Sequence, residues 1–225
     1  MDEFGDPFRI EDEDGQWVHI KPWTERNWTE YYRATATIHA KRKELLETIE
    51  SHPEDKEVLE ADLEFISRDF PRRPHYDQDP KTEEEYEELH QCKLICLEEL
   101  PVWQHAERCA EAVLPILGPL MNATRDSDPE AFKALDWLFW DVLDPQHELE
   151  KGRDQGFADE YLCANILCCR KALKAADKAI VSLQSAIERG FLPKETADPL
   201  IARGRIVAVL IEAYIKDLCK RVWWT

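Results

Sequence analysis

A chain of 225 residues with 44% hydrophobic residues carries enough apolar material for one large or two small domains, which excludes wholesale disorder. Its 47 acids against 29 bases give a net charge of -18, and the excess is local: residues 1–100 hold 28 acids and 13 bases, residues 101–225 hold 19 and 16. A field of that sign repels nucleic acid and anionic membrane and selects basic partners, and the lack of any apolar run of about 18 residues excludes a membrane-spanning helix.

Only seven glycines are present, and alternating Val/Ile/Thr runs are scarce, so helices are expected throughout. Residues 1–27 read as an acidic arm or cap with Trp17 and Trp23 as apolar anchors. A first helix is expected from Asn27 as N-cap, with Glu30 completing a capping box and an inward seam of Trp28, Tyr31, Thr35, Ile38, Arg42, Leu45 and Ile49. Ser51 is expected to cap a second helix with Val58, Leu59, Leu63, Ile66 and Phe70 on one face, ended by Pro71. Residues 71–81 are polar and proline-containing, the one sub-boundary in an otherwise single helical domain over 28–225. Thr82 opens a third helix to Leu100. A fourth passes through Trp103, Ala110, Val113 and Leu117 and closes at Gly118-Pro119.

Asp128-Pro129 starts a fifth helix, which carries Leu135, Leu138, Phe139 and Val142 with Trp137 and Trp140 widening its apolar surface; residues 144–156 read as a polar loop. A sixth runs from about Ala158 to Arg189 and stops at Gly190, and a seventh starts at Asp198-Pro199 and carries apolar positions from Ile206 to Val222. The expectation is all-α: an antiparallel bundle of about seven helices. Unequal helix lengths without shared signature positions argue against a regular repeat solenoid. The terminal CKRVWWT ends on two adjacent tryptophans, which reads as a chain cut from a longer protein.

Residues with catalytic potential do not assemble into a reaction. There is no phosphate-cradling glycine loop, no nucleophile elbow and no His-Glu-x-x-His helix. Glu87-x-x-His90 has the spacing used twice over by carboxylate di-iron bundles, but no second copy exists. Cys92 and Cys96 pair with no clear second half-site, because Cys163, Cys168 and Cys169 sit among Leu, Ile and Ala as core residues do. Neither a metal nor a cofactor is therefore expected. Seven cysteines, an odd number, behind an acidic N-terminal decapeptide point to reduced thiols and a cytoplasmic or nuclear setting.

Arg33 and His39 loosely resemble the Arg-x4–6-His signature of HEPN-type ribonucleases. That resemblance implies an RNA-cleaving helical dimer, but Ala34 replaces its usual polar residue.

The function expected from these features is non-enzymatic. An intracellular helical interaction or adaptor domain would receive a basic protein or peptide on its acidic half. The candidate partner-binding residues are Trp17, Trp23, Glu83, Glu84, Tyr86, Glu87, Trp223 and Trp224. The alternatives are an assembly scaffold that self-associates, or docks the rest of a longer chain, through apolar C-terminal helices, and a helical enzyme or ligand-binding bundle.

Overall fold

The computed structural model describes residues 9–11, 17–19, 22–51, 82 and 99–224, with side chains at all of these except 9–11, 17–19, Glu50 and Glu160. The helices expected over 51–70 and 82–100, and the connector 71–81, lie outside the described residues except for Ser51, Thr82, Glu99 and Leu100. Five helices are present among the described residues, and the chain divides into two compact units, Met1–Asp79 and Pro80–Thr225.

The first unit begins with a short antiparallel strand pair. Strand β1 (Arg9–Glu11) pairs antiparallel with β2 (Trp17–His19), placing Ile10 opposite Val18. Both strands centre on a β-branched residue, and the turn dipeptide Asp14-Gly15 stands between them in sequence. Helix α1 (Glu25–Ser51) starts earlier than Asn27. Thr24 is the cap: its hydroxyl accepts from the Asn27 backbone N–H at 3.4 Å, and the Asn27 side-chain oxygen accepts from the Thr24 N–H at 3.1 Å. The box mechanism was right and its register was three residues out. A threonine three positions upstream competes better for the free donors, which leaves Glu30 to pair with Arg26 at 2.9 Å. Trp28 is buried; Tyr31, Thr35, Ile38, Leu45 and Ile49 are half-buried on the expected seam, and Arg42 is exposed.

The second unit contains a four-helix ring: α2 (Pro101–Thr124), α3 (Pro129–Gln155), α4 (Asp159–Glu188) and α5 (Lys194–Cys219). Each helix packs on the next, and α2 closes on α5, with connectors short enough to force antiparallel neighbours. Three expected boundaries move. Helix α2 does not stop at Gly118-Pro119 but runs through both Pro115 and Pro119. Both prolines are exposed, so the carbonyls they leave without an amide face water, while Val113 and Leu117 stay fully buried on the inner side.

Helix α3 absorbs the expected 144–156 loop: Pro145 and Gly152 are buried inside it, and the chain turns only at Gly156, at φ 103°. Burial of Val142, Pro145, Leu149 and Gly152 on one stripe outweighs the local breaking tendency. Helix α5 begins at Lys194 rather than Asp198, with Pro199 tolerated near its start. Helix α4 ends as expected: Gly190 sits at φ +75°, and the Phe191 N–H reaches back to the Ala186 carbonyl at 2.9 Å.

The ring's centre is a layer of Ala106, Val142, Ala176, Leu183, Leu200 and Val207, flanked by fully buried Leu117, Leu135, Leu162 and Ile211. Each such Leu or Ile contributes about 1.5–3 kcal/mol. Small residues set the spacing. A Cβ on Gly152 would come within 2.9 Å of the Asn165 side-chain oxygen and 3.3 Å of the Cys168 Cβ, and one on Gly204 within 3.2 Å of Ile180. These two glycines let α3 and α5 approach α4 closely. The free space at the centre is about 10 Å³, enough for no more than about one water.

Candidate interaction surfaces

Helix α3 presents two indoles to solvent: Trp137 is 60% exposed and Trp140 56%. They lie three apart, on adjacent lines of one face, because the inward stripe is already filled by Leu135, Leu138 and Val142. Asp136 and Asp144 stand four residues either side of Trp140. Over its length α3 has seven acids and three bases, more negative than the whole of residues 101–225, whereas α4 and α5 each balance four against four. Among the four helices of the ring, α3 thus pairs a clear negative excess with the exposed tryptophans.

Beside Trp137 a groove of about 270 Å³ opens between α3 and α4, lined by Leu138, Asp141, Ser182, Ser185, Arg189 and Phe191 among others. Asp141 is the one buried charged side chain among the described residues. Lys178 Nζ sits 2.7 Å from its Oδ1, and the Ser182 hydroxyl donates to its Oδ2 at 2.6 Å. The hydrogen bond to Asp141 holds the Lys178 ammonium above the usual lysine range. A lysine held protonated cannot take the proton of Ser182, so this Ser–Asp–Lys cluster ties two helices together instead of arming a nucleophile. Arg189 closes the groove's end, pairing with Glu130 and stacking 4.5 Å over Phe191.

The described residues among those chosen from sequence divide between the two units. Trp17 lies in β2, and Trp23 is half-buried, packed edge-on to Trp28 at 5.0 Å and tilted to Tyr31 at 5.8 Å. Glu83, Glu84, Tyr86 and Glu87 lie outside the described residues. The terminal pair splits. Trp224 is buried, while Trp223 is 62% exposed and donates its indole N–H to Asp159 at 3.0 Å. Arg221 adds a bond to the Phe157 carbonyl at 2.6 Å, so the residues after α5 are fixed onto the start of α4. Arg33 and His39 are both exposed on α1.

Asp141 was missed because a lone acid in a Trp-rich stretch reads as solvated. Its one signal is its position between Leu138 and Val142, on the inward stripe.

Cys109, Cys163, Cys168 and Cys169 are buried free thiols, and Cys219 is half-exposed. Burial pushes Cys168 up to about 11 and Cys169 up to about 12. Thiols that resist ionisation are poor nucleophiles and poor ligands, and no metal-holding group of His, Cys, Asp and Glu occurs among the described residues. No described helix is long and apolar enough to cross a membrane. Compared with protein-family models, with curated proteins and with solved structures, the chain finds no match in any of the three.

Proposed function

We propose that the chain is a non-enzymatic helical interaction module that binds a basic protein partner. The carrying observation is the pair Trp137 and Trp140, more than half exposed on the acid-rich helix α3. Large exposed indoles cost solubility in a monomer and serve as contact anchors. Asp136 and Asp144 beside them favour a partner segment that alternates Lys or Arg with apolar residues, since a cation over an indole face adds to the ion pair. The 28 acids of residues 1–100 act at longer range, drawing the same partner in and speeding association. Buried reduced thiols fit a reducing compartment, cytoplasmic or nuclear.

The test is affinity capture from native extract with the whole chain and with the Trp137→Ser/Trp140→Ser variant. A basic protein retained by the first, lost by the second and released as salt rises is the expected result. An identical captured set from both would overturn the α3 reading. A second reading is self-assembly, favoured by exposed Ile206 and Val209 on the outer face of α5, at 47% and 66%. Concentration-dependent sedimentation that persists in the tryptophan variant and ends in Ile206→Ser/Val209→Ser would select it.

A further inference from the structure

A second groove, of about 540 Å³, runs between α4 and α5 and is lined by Arg170, Leu173, Glu212, Ile215, Lys216, Cys219 and the following Lys220. Its surroundings reverse the sign of the molecule. Residues 170–174 and 212–221 contain Arg170, Lys171, Lys174, Lys216, Lys220 and Arg221, against two acids, Glu212 and Asp217. All six bases are exposed. The floor is apolar: Ile215 is buried, and Leu173 and Cys219 are half-buried.

Two of these bases, Lys216 and Lys220, are held loosely. Lys216 pairs with Glu212 at 2.9 Å and Lys220 with Asp217 at 2.7 Å, each within one turn and with both partners more than half exposed. Arg170 lies 3.9 Å from the Cys219 sulfur. Exposed pairs of that kind contribute little and exchange readily for a partner's carboxylates.

We propose that this groove is a docking site for an acidic amphipathic segment of a partner protein. Its carboxylates meet Arg170, Lys216 and Lys220, and its apolar side chains cover Leu173, Ile215 and Cys219. The assignment is independent of the α3 face, which is built from other residues and selects the opposite charge. Charge complementarity chooses an acidic occupant, and the apolar floor chooses a peptide over a nucleic-acid backbone. Among the described residues no aromatic ring lines the groove for base stacking, and a chain at -18 repels a long polyanion more than a short acidic segment. Two surfaces of opposite sign on one bundle would let the chain bridge two partners.

The experiment uses the full chain and a fluorescein-labelled peptide of repeated Glu-Glu-Leu-Leu, read by anisotropy. Binding is expected to weaken at least about tenfold for Arg170→Gln/Lys216→Gln/Lys220→Gln, and similarly when the peptide's leucines become serines. Trp137→Ser/Trp140→Ser should leave it unchanged, and bound peptide should slow alkylation of Cys219 followed by mass spectrometry. Circular dichroism of the triple variant separates lost binding from lost fold, its bases being exposed. The proposal is overturned by any of three results: no binding of the peptide, equal binding by a folded triple variant, or tighter binding of oligothymidine or phosphatidylserine vesicles than of the peptide.

Discussion

Asn165 shows how much one buried polar group can organise. Its side-chain N–H donates to the Gly156 carbonyl at 3.0 Å, fixing the turn between α3 and α4, and its oxygen accepts from the Cys169 thiol at 3.4 Å. Gly152 lies against the same oxygen. Gly152→Ala gains helix propensity of about 1 kcal/mol but drives a methyl into that amide, so a net loss of about 1–2 kcal/mol is expected in urea unfolding. Asn165→Ala should cost about 1–3 kcal/mol by leaving the turn carbonyl without its buried donor.

The buried thiols give a pH prediction. Cys168 and Cys169 have folded values raised from 9.0 to about 11 and about 12, so the unfolded chain releases these protons first. Their contribution is complete below pH 9 and is lost as pH rises through about 11 to 12. Unfolding free energy should fall across that window. The slope should lessen in Cys168→Ala/Cys169→Ala, even though that variant is weaker at neutral pH.

Helices α2 and α4 have weak starts: Leu100 and Ala158 make no side-chain capping bond, whereas Asp128 accepts from the Ala131 N–H at the start of α3. Asp128→Ala should cost about 1 kcal/mol, and Ala158→Asp should gain a similar amount, both read from thermal melts. Pro119→Ala in the exposed stretch of α2 should also stabilise, by about 1–2 kcal/mol, because it restores a bond to the Pro115 carbonyl.

These termini mark the limit of what the chain's letters disclose. Among the described residues, helix identity and inward stripes are readable where spacing is regular, as in α4, which ends at Gly190 as expected. Boundaries failed where Pro or Gly lay on a buried or an outer stripe. At Pro145 and Gly152 packing across to α4 overrides the local tendency to break, and at Pro119 water does so. The exposed tryptophans were visible as a wide apolar face, but the α4–α5 groove was not. Its bases come from segments some 45 residues apart, which only antiparallel packing brings together.

For the whole molecule, the second unit buries its own apolar stripes around a closed ring, so residues 80–225 are expected to melt cooperatively when expressed alone. Loss of cooperativity in calorimetry would contradict this. The ring has one asymmetry. Three of its four interfaces join helices consecutive in the chain, and their short turns favour fast re-pairing. The α2–α5 interface has no turn and must be found by a search across the length of the unit. It is therefore the hinge at which the barrel of helices unzips: amide protons of Val113, Leu117, Val207 and Ile211 should exchange in partial openings that leave the α3–α4 pair protected. Time, rather than contact or charge, then distinguishes that seam, as the last to close on folding and the first to part.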